Sequence, residues 1–113
     1  MRCLQIKHIT DEAFFDSFRL DLSNAIRQVI ICSPFLSSNR AIHYYPVFSS
    51  LKSRHVDISV YTKPKNEQPE SLRLHFNDVQ TQLKQMIGVN FYTRPGMHEK
   101  ISIIDDFILW TTV

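Results

Sequence analysis

In the segment Pro95-Gly96-Met97-His98-Glu99-Lys100-Ile101-Ser102-Ile103-Ile104-Asp105-Asp106, an imidazole, an ammonium and a hydroxyl occupy alternate positions. Side chains two apart on a β-strand share a face about 6.5–7 Å from one another, so an extended Met97–Ile104 segment presents His98, Lys100 and Ser102 together. That set suits phosphodiester chemistry. A neutral imidazole can attack phosphorus or move a proton, while a lysine neutralises the non-bridging oxygens as charge builds. Such a site requires no metal and no cofactor. The cysteines, Cys3 and Cys32, make no Cys-x-x-Cys metal knuckle. With Gly88 and Gly96 the only glycines, the glycine-rich phosphate loops are excluded, so any bound phosphate must be held by side chains.

Other residues are weighed against plainer roles. Asp105 has the opposite parity to His98 and joins that face only if the strand bends or bulges. Asp105-Asp106 reads equally as a hairpin turn, which favours a structural role. Glu99 shares that opposite parity and is expected in solvent. For the strand as a whole, the plain alternative turns Met97, Ile101 and Ile103 inward and the polar residues outward. Ser102 is either a phosphate donor or a small residue under packing. Ser33 follows the first buried strand, at the end where open α/β sheets place their ligands, and is a candidate for lining the site. Arg94, Lys63 and Lys65 lie in turns and loops nearby, where cations commonly serve solubility. Cys32 is expected to be a small buried hydrophobe.

The elements that must position these residues follow from periodicity. Thr10 with Asp11 and Glu12 reads as the start of a helix over 11–25, its face marked by Phe14, Phe15, Phe18, Leu22 and Ile26. Val29-Ile30-Ile31-Cys32 is a continuous apolar run suited to a central strand. Ser37, Ser38 and Asn39 can open a second helix over 40–53, which turns Ile42, Tyr45, Val47 or Phe48, and Leu51 to the sheet and is interrupted by Pro46. Val56 to Thr62 is a second strand, with a polar loop to Pro69. A third helix over 70–87 carries Leu72, Phe76, Val79, Leu83 and Met86 or Ile87, with Gly88 as its C-terminal cap. Val89 to Tyr92, Met97 to Ile104 and Phe107 to Val113 supply further short strands. This order makes an α/β layered domain.

Composition agrees with one domain over residues 1–113, a helical segment at 1–25 followed by the motif-bearing α/β part at 26–113. Thirteen Lys and Arg against eleven Asp and Glu leave a formal charge of +2, too little to announce a nucleic-acid or membrane partner by field alone. Two cysteines without a disulfide framework point to a reducing cytoplasm. No apolar run approaches a membrane span.

The spacing H-x-K-x-x-x-x-D at His98, Lys100 and Asp105 resembles the signature of the phospholipase D superfamily. Val29-Ile30-Ile31-Cys32-Ser33-Pro34-Phe35-Leu36 is similar to the hydrophobic strand and Ser-Pro-Phe near the start of these domains. Val60-Tyr61-Thr62-Lys63-Pro64, the loop to Pro69, the following helix, Gly88-Val89 and His98-Glu99-Lys100 resemble members associated with helicases and nucleases. The resemblance runs from Ala25 to Trp110. It implies a phospholipase D-like mixed β-sheet flanked by helices and a two-step reaction through a phosphohistidine. One motif histidine attacks phosphorus; a second protonates the leaving group and then activates water. Carried over, His98 is nucleophile or acid/base, Lys100 a phosphate ligand and Asp105 a supporting carboxylate, with Ser102 and Ser33 as further substrate-binding candidates.

The family uses its motif twice. Here none of His8, His43, His55 and His75 is followed two residues on by lysine, so activity implies a homodimer that shares one site. The family's Gly-Ser-x-Asn segment would begin at Thr112 and Val113, neither of which matches. The expectation is therefore a fold incomplete at its C-terminus, with one sheet edge or face less covered. Nucleic acid is favoured over lipid as substrate, because no basic, Trp-bearing amphipathic segment is present and no stable membrane association is expected. The rival readings are a catalytically inactive truncated fragment that binds partners or has no function, and a phospholipid-hydrolysing enzyme.

Overall fold

Short β-branched runs build the centre of the structure, and longer amphipathic segments cover one side of it. In this computed structural model, which describes residues 4–9 and 14–111, the chain runs β1 (Gln5–His8), α1 (Phe14–Ser23), β2 (Gln28–Cys32), α2 (Ser38–Ser53) and β3 (Asp57–Thr62). After a 3-10 turn at Lys65–Glu67 come α3 (Glu70–Arg73), α4 (Phe76–Thr81), a π-helical turn at Gln82–Ile87, β4 (Asn90–Thr93), β5 (Ile101–Ile104) and β6 (Ile108–Thr111). The six strands form one mixed sheet in the order β1-β6-β5-β2-β3-β4. β2, β3 and β4 are parallel neighbours, β5 is antiparallel to β2 and β6, and β1 runs parallel to β6.

Register places Val29, Ile58 and Ile104 side by side on one face, with Val60, Ser102 and Trp110 in the next row along. Phe14, Phe18 and Leu22 of α1 and Ala41, Phe48 and Leu51 of α2 pack onto that face in a single core with Val79 and Leu83. Each such large side chain contributes about 1.5–3 kcal/mol by leaving water. Ile30, Ile101, Ile103 and Leu109 share the opposite face and lie outside the core, so the helices cover one side of the sheet. On that second face Tyr61 stacks on Tyr92, ring centroids 4.8 Å apart.

α1 is locked to the far strands by one carboxylate. Asp21 Oδ2 accepts from Lys7 Nζ and from the Trp110 indole N–H, both at 2.8 Å. α2 continues through Pro46 because Pro46 and Ile42, whose carbonyl loses its partner there, both face solvent. It ends with His55 in the left-handed region (φ 64°), while the His55 and Val56 N–H groups reach back to Lys52 and Leu51 carbonyls.

Several expectations need correction. Gln5–His8 is a strand within the segment read as helical, and its one apolar residue, Ile6, faces solvent. Ile26 lies beyond the end of α1 and is 63% exposed, with Ala25 buried in its place. Ile42 is 58% exposed; Ala41 takes its place against the sheet. The third helix is not continuous: Leu74 and His75 interrupt it, since α3 buries no residue that would hold it in line with α4. Met86 is exposed and the half-buried Ile87 completes the stripe. Gly88 does cap the end, with φ 92° and its N–H on the Leu83 carbonyl. On β5 the inward side chains are Ser102 and Ile104, not Ile101 and Ile103. The proposed cap at Thr10 with Asp11 and Glu12, and the positions Cys3, Thr112 and Val113, lie outside the described residues.

Candidate functional site

The C-terminal end of β2 is where the sheet opens. Beyond Cys32 the chain turns toward β3, with Ser33 N–H donating to the Tyr61 carbonyl and Lys63 N–H to that of Pro34. Gln68, 3% exposed, fixes this turn. Its side-chain amide donates to the carbonyls of Pro34 (3.0 Å) and Lys63 (2.9 Å), and its oxygen accepts from Leu36 N–H (3.1 Å). The turn and the start of α2 frame a cavity of about 360 Å³ between sheet and helices. Its floor is apolar, with Phe14, Phe18, Tyr44, Phe48, Val60 and Leu83. Its polar lining is Ser33, Ser37, Arg40, Lys100 and Ser102.

Because β5 pairs with β2 only from Ile101 onward, the extended segment is shorter than its sequence suggests. Cys32 is the last residue of β2 and faces Ile101, leaving residues 97–100 without a ladder partner. Parity still brings Lys100 and Ser102 to one cavity, with Ser33 across from them. His98 is exposed and outside the lining; its backbone N–H donates to Glu99 Oε2 at 3.3 Å. Met97 is buried beside it, and Glu99 is exposed as expected.

Electrostatics at the mouth is unbalanced. Neither Arg40 nor Lys100 has a carboxylate partner within ion-pair distance among the described residues. Burial holds the Lys100 ammonium below its ordinary value, and the Arg40 guanidinium adds repulsion in the same direction. Arg40 lies over the Phe15 ring, 4.7 Å from its centroid, and Lys63 over Phe35 at 5.4 Å. Arg94 stacks on Tyr61, on the other face of the sheet. Cys32 is half-buried, and burial first, then the Glu99 charge, pushes its thiol up despite Arg94, which leaves a poor nucleophile.

Asp105 sits at the other end of β5. It is 7% exposed, and its carboxylate accepts from three backbone N–H groups, Ile26 (2.9 Å), Arg27 (2.7 Å) and Gln28 (3.1 Å). The Asp105 N–H in turn donates to the Gln28 carbonyl. Asp105 and Asp106 both adopt left-handed backbone (φ 54° and 68°), closing the β5–β6 hairpin as the turn reading expected. Asp106 pairs with Arg27 at 2.8 Å and accepts from the Gln28 side-chain amide. The motif carboxylate thus aligns the start of β2 and does not line the cavity. Among the described residues no three His, Cys, Asp or Glu side chains converge as metal ligands would.

Arg40, Ser37 and Gln68 are the contributors that sequence reasoning missed. Arg40 and Ser37 had a legible signal, since they fall in the opening turn of a helix that follows the Ser-Pro-Phe segment. Gln68 had none, because its partners come from two separate turns.

Comparison with known proteins bears on the fold. The structure is similar to that of NucT from Helicobacter pylori, with a TM-score of 0.57 and 17% sequence identity over 81% of this chain. The match covers 60% of the NucT chain, so the present chain spans well under its full length. A scan against protein-family models gives no match, and neither does a search of curated proteins. The six-stranded mixed sheet with its helices is a phospholipase D-like fold. No helix among the described residues is long and apolar enough to cross a membrane.

Proposed function

We propose that this chain is a metal-independent phosphodiesterase of the phospholipase D type that acts on nucleic acid. The observation that carries the reading is the meeting of Lys100, Ser102 and Ser33 at one cavity, with the exposed His98 two residues before Lys100 in the chain. The likeness to NucT, a nuclease of that superfamily, supports it at the level of the superfamily. In the first step a neutral His98 ring nitrogen forms a bond to phosphorus as the bond to the leaving oxygen breaks. The partner subunit's His98 protonates that oxygen, then takes a proton from water, which displaces the phosphohistidine. Lys100 and the Ser102 hydroxyl hold the non-bridging oxygens, whose charge grows in the transition state, while the Ser33 hydroxyl, which donates to the Phe35 carbonyl at 3.0 Å, lines the cavity beside them. Asp105 acts through the fold, by aligning β2 against β5. With no disulfide framework in the sequence, the enzyme is assigned to a reducing cytoplasm.

The test is hydrolysis of single-stranded DNA and of bis(p-nitrophenyl) phosphate with chelator present. Turnover that resists EDTA and disappears in His98→Ala supports the reading; equal background rates in both proteins overturn it. Sizing in solution adds a second criterion, since a strict monomer cannot pair two copies of His98. A binding module without turnover is the second reading, favoured by the Asp105 carboxylate being engaged by three backbone N–H groups.

A further inference from the structure

The cavity holds more than a phosphate needs. Two cations lie at its mouth, and its floor is dominated by aromatic rings. Ser102, 6% exposed, lines it with a hydroxyl that makes no hydrogen bond to any described residue yet is not sealed from the cavity. Ser37 lies just before α2 and makes no side-chain capping bond, and no carboxylate occupies the first turn of that helix. The helix therefore brings free N–H dipoles to the same mouth as Arg40 and Lys100. A volume of about 360 Å³ falls in the range of small-molecule pockets.

We propose that this cavity is a nucleotide subsite, in which Arg40 joins Lys100 on the phosphate of a single strand and one unstacked base lies against the aromatic floor below. The proposal rests on the phosphodiester reading and adds to it a second phosphate cation and a base pocket. Aromatic walls suit a base, whose π-face stacks on rings whatever its identity. An aliphatic chain fits less well. It would bury the Ser102 hydroxyl without a partner, whereas a base edge or a phosphate oxygen satisfies it. Bound phosphate also offsets the repulsion between Arg40 and Lys100, which adds to burial in holding the lysine's value down.

Small probes separate the parts. Titration of the protein with thymidine 5′-monophosphate, deoxyribose 5-phosphate, inorganic phosphate and hexyl phosphate isolates the base, the sugar, the anion and an aliphatic tail. The nucleotide is expected to bind about tenfold more tightly than deoxyribose 5-phosphate, the scale of one base–aromatic stack. Hexyl phosphate should gain nothing over inorganic phosphate. Arg40→Met, which keeps the stem over Phe15, should weaken nucleotide and sugar phosphate equally while leaving the thermal midpoint unchanged. Equal affinity for nucleotide and sugar phosphate overturns the base pocket, tighter binding of hexyl phosphate assigns it to lipid instead, and an unaltered Arg40→Met removes the second cation. His98→Ala makes the two proposals separable: base preference without turnover refutes only the enzyme, and His98-dependent turnover without base preference refutes only the subsite.

Discussion

The two ends of β5 carry the halves of one sequence motif and are built on opposite principles. At the Asp105 end both carboxylates are partnered: three N–H groups converge on one and the other holds Arg27 and Gln28. At the Lys100 end two cations face an open cavity without carboxylate partners among the described residues, and a buried hydroxyl bonds to nothing described. Saturated polar networks hold a fold in place, whereas unsaturated ones are held in place by the fold and left available to a ligand. A short stretch of strand separates the two regimes.

Substitutions at the two ends should accordingly fail in different assays. His98→Ala is expected to lower turnover by about a thousandfold or more, as loss of a nucleophile or its acid/base partner does, with no change in the urea midpoint. Asp105→Ala should do the reverse, costing about 3 kcal/mol in urea unfolding by stranding buried N–H groups, with turnover per folded molecule retained. An Asp105→Ala protein of unchanged stability would erase the contrast. Lys100→Met is expected to weaken inorganic phosphate binding about tenfold, the scale of one charge-assisted contact, without loss of stability.

The sign of the Lys100 effect follows from its lowered folded-state value. Its charged form is less favourable in the folded than in the unfolded chain, so the penalty is complete below the folded value. Stability recovers as pH rises through that value toward the unperturbed 10.5. Comparing urea midpoints of the parent protein and Lys100→Met over that interval should show the rise only in the parent. Smallest of all is Asp106→Gly: the exposed pair with Arg27 is worth below about 1 kcal/mol, and glycine relieves the left-handed backbone, so the midpoint should barely move.

Local rules made the Lys100 end legible. Alternation placed Lys100 and Ser102 on a common face, and the apolar run through Cys32 located Ser33 at the sheet end that opens. His98 escaped the same rule because pairing stops at Ile101, and the turn of β2 away from β5 is a property of Ser33 and Pro34 in three dimensions. Asp105 could be read as a turn residue, but its three N–H partners lie far upstream and left no local mark. Gln5–His8 was illegible for a related reason: its pattern is polar, and only Trp110, Asp21 and the β6 ladder give it a place. The third helix shows the opposite failure, a convincing stripe broken where Leu74 and His75 have nothing to pack against.

The parallel pairing of β1 with β6, Gln5 opposite Ile108, has a kinetic meaning. Partners separated by nearly the whole sequence must be brought together against a large loop-closure entropy, and such contacts slow folding. During synthesis β2, α2 and β3 can assemble early, while β1 waits on the ribosome side of time for β6 to emerge. Until then the hydrogen bonds of Lys7 and Trp110 to Asp21 are unformed, and the nascent sheet presents an open edge.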